Sequence, residues 1–482
     1  MARRPRQRDL VNGAIGPTLL AFAMPTLGSS ILQSLNGSIN TVWVGRFLGE
    51  DALAATSNAN MVMFLLMAFI FGFGMAAMVL VGQACGRGDI GAARRAMGAA
   101  IGTFVPVSAA IAVLGWIGAP LLLRLLGTPA DSVPLALAYV RVIFLAMPPI
   151  MLSALLTMGL RGTGDAMTPL WFMLLSAVLD AGLNPVLILG LGPAPAMGIA
   201  GSAAATVIAN IATLIGLVAY IYWRDLPLRL RGHELAFLRP DPALARTIVA
   251  KGLPMGLQMI VISSAGLATV GLVNREGVAT AAAFGVAMQL WAYVQMPAIA
   301  LGGATGAMAA QNIGAGRWDR LGAITRAGII YNLLITGALV LLLWLIARPA
   351  LALFLGGDSA ALPVAQHILL LTNWSFLLFG ITMVLFGTIR ANGAVIAPLI
   401  IMTIGLYPIR LGFMLGFHPI LGSDALWLSY PVGAIAVLAM ATVYYLRGGW
   451  KRGRMGGPLD PTEAVEEAAA DGEPSGRLCP SG

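Results

Sequence analysis

An aspartate in the middle of an apolar helix is the residue of this chain whose chemistry packing explains least. In Ser176-Ala-Val-Leu-Asp180-Ala-Gly-Leu-Asn184-Pro185, Asp180 is the only carboxylate placed well inside a candidate membrane-spanning segment; every other Asp or Glu falls in a loop, at a helix edge or in a tail. An ionised carboxylate in hydrocarbon is costly, so it must face a cavity, find a partner or hold a proton. Ser176, Asp180 and Asn184 recur at i, i+4 and i+8, which puts them on one helix face. Pro185 removes a backbone donor one residue later and loosens the helix at that depth. The chemistry such a residue can do is reversible loading of a proton or a small cation.

Two more polar stripes occur in the same half. Ser29, Gln33, Asn36 and Asn40 follow helical spacing on the first span, and Ser202, Thr206, Asn210 and Thr213 do so on the sixth. Such stripes glue helices together or line a wet cavity; three in one half, one with the buried acid, favour a cavity. Pro25 frees the carbonyl of Ala21 and makes the first helix a candidate for gating by a kink. The second half offers Gln258, Ser263, Ser264 and Thr269, then Gln289, Tyr293 and Gln295, then Thr372, Asn373 and Ser375, then Tyr407 and Arg410, with no carboxylate among them. From these stripes the candidate cavity lining is Gln33, Asn36, Ser176, Ser202, Asn210, Gln258, Gln289, Tyr293 and Arg410. Arg141 and Arg410 read as the basic residues best buried in spans. Either can pair with Asp180, snorkel to an interface or meet an anionic group, and snorkelling is the first reading for Arg141.

The elements that must position these groups are transmembrane helices. The 482 residues are 59% hydrophobic and 10% charged, with a mean hydropathy of +0.87, the composition of an all-α polytopic membrane protein. Twelve spans are expected near 15–38, 52–81, 96–120, 134–159, 168–190, 199–223, 247–273, 280–309, 323–347, 363–388, 395–416 and 424–446. Arg and Lys crowd alternate loops, including the long 224–246 connection and both termini. The positive-inside rule therefore puts both termini in the cytoplasm, in the plasma membrane of a cell. The net charge of +9 then reports topology rather than a nucleic-acid partner. Cys85 and Cys479 are not positioned for a structural disulfide. His233, His367 and His418 fall in loops or at a span edge, and no Ser/His/Asp set or metal cluster is visible. No enzyme, cofactor or resident metal is expected, with Na⁺ at Asp180 as the one candidate ion.

The second half repeats the first. Pro25 matches Pro254, Gln83-Ala-Cys-Gly86 matches Gln311-Asn-Ile-Gly314, Leu126-Gly127 matches Leu355-Gly356, and Arg161-Gly-Thr-Gly164 matches Arg390-Ala-Asn-Gly393, always 228 or 229 residues apart. Six spans per half is even, so the halves are parallel repeats about an axis along the membrane normal. The expected layout is a cytoplasmic segment 1–14, an N-lobe 15–223, an inter-lobe loop 224–246, a C-lobe 247–446 and a disordered tail 447–482.

These landmarks, with the Val44-Gly45-Arg46 turn and the Gly198-Ile-Ala-Gly201-Ser-Ala-Ala-Ala-Thr206 run, resemble the multidrug and toxic compound extrusion (MATE) family of secondary transporters over roughly 12–446. The resemblance implies two six-helix lobes around a central cleft, in a monomer that exchanges a substrate for H⁺ or Na⁺. By position, the family's N-lobe cation site corresponds to Asn40, Asp180, Asn184 and Thr206. Here Asn40 stands where an acid is usual, the span-5 Asp and Asn are exchanged, and the C-lobe acids of some members have no counterpart. The expected activity is export of amphipathic or cationic drugs and toxic small molecules, with H⁺ preferred to Na⁺ because one carboxylate supplies one charge. The alternative is a flippase for lipid-linked saccharides of the same broad superfamily.

Overall fold

In a bilayer each backbone polar group must be satisfied within the protein, and helices do this within a single segment. A computed structural model of the chain describes residues 9–125, 133–190, 196–239, 241–356, 359–453 and 455; the side chains of 38, 40–42, 44–46, 48–65, 125 and 135 lie outside that description. The first half comprises α1 (Ile15–Gly86), α2 (Ile90–Leu125), α3 (Val133–Gly162), α4 (Met167–Leu189) and α5 (Ile199–Trp223). The second comprises α6 (Pro242–Val273), α7 (Val278–Gly314), α8 (Leu321–Leu345), α9 (Ala347–Leu355), α10 (Ala361–Thr372), α11 (Ser375–Ala391), α12 (Ile396–Ile404), a π-helical segment Gly405–Leu411, α13 (Gly412–Leu421) and α14 (Asp424–Leu446). Among the described residues, eleven helices are long and apolar enough to span a membrane, and α1 carries two of these stretches, Ile15–Gly37 and Leu66–Gly86. The pair α10 and α11, bent by 44°, makes the twelfth. The expected Val44-Gly45-Arg46 turn is instead backbone of the continuous helix α1, and the tail, expected to be disordered from 447, begins with a 3₁₀ turn at Gly449–Arg452 that buries Trp450; its 456–482 part lies outside the described residues.

Two spans differ from the sequence reading in a way their residues explain. The tenth is broken because Thr372 Oγ1 and Ser375 Oγ donate back to the carbonyls of Ile368 and Thr372, at 2.7 and 2.6 Å, where four polar or aromatic residues interrupt the apolar run. Hydroxyls that compete for helix carbonyls in this way bend the helix. The eleventh widens into the π segment around Pro408, which lacks the N–H that a regular ladder needs there.

The motifs read as loops are instead helix ends, and one end of the bundle is knitted through them. Gln83 Nε2, in the last turn of α1, donates to the carbonyl of Ala391 at 2.7 Å; Gln311 Nε2, in the last turn of α7, donates to the carbonyl of Gly162 at 2.8 Å. Donors and acceptors are paired by the 228–229 offset, so the two bonds are related as the halves are. Gly86 and Gly314 permit the crossing, since a Cβ on either would strike the carbonyl oxygen of the opposite glutamine. Around them, Asn312 Nδ2 holds the carbonyl of Leu10 at 2.9 Å, and Asn392 Nδ2 reaches those of Trp450, Lys451 and Gly453. Within the 224–246 connection, Glu234 and the carbonyl of Pro227 pair with Arg94, and Asp241 caps α6, which starts at Pro242. One hydrophobic core runs through this end from both halves (Met78, Val81, Ala307, Ala310, Ile389). A second belongs to the second half alone, around Trp291, Phe376 and Trp427.

Candidate functional site

The sequence brings α5 onto α4 through its small residues. A Cβ on Gly201 would strike the carbonyl oxygen of Leu187, so only glycine admits this approach, and Ala205 and Ala209 continue the buried seam. Thr206, one turn beyond, then meets Asp180. Asp180 is 1% exposed and Asn184 is fully buried. Thr206 Oγ1 donates to Asp180 Oδ1 at 3.0 Å, and Asn184 Nδ2 donates to the same oxygen at 3.2 Å. The Asn184 amide also donates to the backbone carbonyl of Asp180 at 2.9 Å, next to the Ala181 carbonyl that Pro185 leaves without its helix donor. Ser202 and Asn210 extend the chain: the Ser202 carbonyl accepts from Thr206 Oγ1 at 3.3 Å, and Asn210 Nδ2 donates to the Thr206 carbonyl at 2.8 Å.

Three of the four coupling candidates, Asp180, Asn184 and Thr206, are therefore one hydrogen-bonded group; the side chain of Asn40 lies outside the described residues. Ser176 is half-buried one turn before Asp180, Asn36 is half-buried and Gln33 is exposed on α1. Helix α1 runs through Pro25, whose carbonyl accepts from Ser29 Oγ at 2.9 Å. A side chain that sequence reasoning missed is Tyr139 of α3, within electrostatic reach of Asp180. No spacing rule singles out one tyrosine on a buried helix.

In the second half the candidates scatter. Gln258 is buried and accepts from the Arg390 guanidinium; Gln289 is exposed; Tyr293 faces an apolar groove with Leu27, Ile31 and Pro297. Arg410 is buried against Tyr430 and Thr269. The ranking of buried arginines changes. Arg141 is half-buried, its guanidinium 4.5 Å from the Trp116 ring centroid. Helices α3 and α11 extend past their expected ends and carry Arg161 and Arg390 inward. These repeat-related residues line a small cavity of about 80 Å³ together with Phe22, Thr26, Met78 and Met383, so it draws on both halves.

The MatE family profile matches residues 25–186 and again 254–415, two copies whose starts and ends lie 229 residues apart. The chain belongs to the MatE family. The repeat inferred from four landmarks is thus the family's own unit, present twice. This MatE chain is 36% identical to the "Probable multidrug resistance protein YoeA" of Bacillus subtilis (strain 168), over 89% of its length and 93% of the relative's. It is 29% identical to the "Probable multidrug resistance protein YpnP" of the same organism, over 92% and 97%. A solved structure of the outward-facing conformation of a multidrug resistance MATE family transporter superposes with a TM-score of 0.84 at 21% identity, covering 93% of this chain and 98% of that one, which establishes the two-lobed, twelve-helix fold. The MatE chain is an integral membrane protein.

Proposed function

We propose that this MatE chain is a secondary antiporter that exports amphipathic, including cationic, small molecules through a cleft between its lobes in exchange for a cation. Asp180 is the coupling residue, and both termini lie in the cytoplasm. The observation that carries the reading is the Asp180 carboxylate, buried mid-helix and met by two neutral donors, Thr206 Oγ1 and Asn184 Nδ2. Both donors can stay in place whether the carboxyl group is charged or neutral, because a protonated carboxyl group still accepts through its carbonyl oxygen. H⁺ is favoured over Na⁺: a dehydrated Na⁺ here would draw on a single formal charge and a few amide and hydroxyl oxygens. Protonation removes a costly buried charge without any ligand set. The names of the relatives support drugs as cargo over lipid-linked saccharides. Pro25 on the first span is the natural place for helix bending during the switch.

Coupling requires that ion and substrate bias one equilibrium in opposite directions, and that bias is reciprocal. The test is dye efflux from proteoliposomes under an imposed pH gradient and then under an imposed Na⁺ gradient. Asp180→Asn is expected to abolish gradient-driven efflux at a normal protein level and with substrate binding retained. Full pH-driven efflux by Asp180→Asn removes this residue from the mechanism, and wild-type efflux that follows only Na⁺ makes sodium the coupling ion.

A further inference from the structure

The second lobe carries its charge in the opposite sense. Arg410 lies 230 residues after Asp180, one position from its counterpart in the repeat, so the second half carries a buried guanidinium on the span that repeats the one with the buried carboxylate. Arg410 is 8% exposed, and none of the described ion pairs involves it. It borders a cavity of about 270 Å³ walled by Trp291, Phe376, Phe379 and Tyr430. That is near the lower end of the roughly 300–1,000 Å³ range of small-molecule sites.

Two buried donors at this cavity have no hydrogen-bond partner. The guanidinium stacks on Tyr430, 3.6 Å from the ring centroid, and Nη2 donates to Thr269 Oγ1 at 3.2 Å, while Arg410 Nε has no partner. Trp291, 3% exposed, also has a buried indole Nε1 without a partner, and it lines the same cavity. Ser375 and Thr382 donate to carbonyls of their own chain segment, Thr372 at 2.6 Å and Leu378 at 2.9 Å, and none of the described hydrogen bonds brings either hydroxyl to Arg410 Nε or Trp291 Nε1. Unmet buried donors beside an uncompensated cation are costly unless a ligand completes them. The backbone is shaped to put the cation there. The π segment re-aims Arg410, and Gly433 on α14 leaves room for its stem, since a Cβ at that position would lie 3.0 Å from Arg410 Cβ.

We propose that this cavity is a recognition site for an aromatic carboxylate. The rings of the ligand would lie among Trp291, Phe376, Phe379 and Tyr430, and its carboxylate would take the Arg410 guanidinium and the Trp291 N–H. The proposal rests on the export reading and names a class of cargo beyond cations. An aromatic zwitterion or anion is held in the second lobe while the first lobe handles the coupling cation. A guanidinium suits this task because its fork matches a carboxylate and its face stacks on an aromatic ring.

The full chain in lipid nanodiscs is titrated calorimetrically with naphthoate and with its methyl ester, against empty nanodiscs. Wild type is expected to bind the acid about tenfold or more tightly than the ester, the difference a charge-assisted pair supplies. Arg410→Met should erase that preference. Trp291→Phe, which keeps a ring and removes only the N–H, should reduce it about threefold to tenfold. Loss of the preference in either variant, at unchanged ester affinity, supports the site; an unchanged acid-to-ester ratio in Trp291→Phe together with Arg410→Met, or no preference in wild type, overturns it. If Arg410→Met does not fold, Trp291→Phe decides alone. No gradient is applied, so the result stands apart from the coupling test on Asp180.

Discussion

Asp180 illustrates what a single residue type can disclose. A carboxylate with no neighbouring charge in an apolar run has few physical explanations, and its helical partners are fixed by spacing, so Asn184 was legible from the sequence. Thr206 required the repeat family's pattern, because only tertiary packing brings α5 to α4. Trp291, Tyr139, Arg161 and Arg390 were not legible. An indole in an apolar helix reads as packing, and an arginine at a helix end reads as topology until a few added residues of helix carry it inward. The hydrogen bond from Thr206 to Asp180 gives the test at this scale. A bond to an ionisable group contributes about 1.5–3 kcal/mol, so Thr206→Val, which keeps the shape and removes the donor, should slow gradient-driven efflux by about tenfold or more. Thr206→Ser keeps the donor and should retain most of the rate. Equal turnover by Thr206→Val and wild type in proteoliposomes would show that the threonine only packs.

At the scale of elements, the twelve spans were readable because hydrocarbon demands some twenty apolar residues per crossing. Their irregularities were not. The break between α10 and α11 arises from hydroxyls that divert helix carbonyls, and the π segment arises from Pro408 within a run that stays apolar; neither changes hydropathy. The contact between α4 and α5 depends on one position. Because a Cβ on Gly201 would meet the carbonyl oxygen of Leu187, a backbone atom that cannot swing aside, Gly201→Ala must separate the two helices. Overpacking of this kind costs about 1–3 kcal/mol. The variant should unfold at lower temperature in a thiol-reactive dye melt and lose pH-driven efflux, since Thr206 leaves Asp180 as α5 moves. A melt and an efflux rate both matching wild type would mean that the seam closes without glycine.

For the whole molecule, the constant offset revealed two related halves, and the family profile falls on them as two copies. How the halves hold each other was hidden, because glutamines in helix ends looked like loop residues. Gln83 to Ala391 and Gln311 to Gly162 form a reciprocal pair across the halves at one end of the bundle, bonds that a molecule alternating its access must break whenever that end opens. Each neutral hydrogen bond contributes about 0.5–1.5 kcal/mol net, so removing both shifts the balance toward the open state by roughly fivefold to a hundredfold. Cys85 reports on this directly, since it is half-buried in the last turn of α1 beside the crossing point at Gly86. With Cys479→Ser to remove the other thiol, a water-soluble maleimide should label Cys85 faster in Gln83→Leu/Gln311→Leu than in the parent, and each single variant should fall between. The substitutions leave both glycines, and hence the close backbone crossing, untouched, so faster labelling reads the lost bonds rather than a collapsed interface. A double variant labelled at the parent's rate would mean that the crossed glutamines do not hold this end closed.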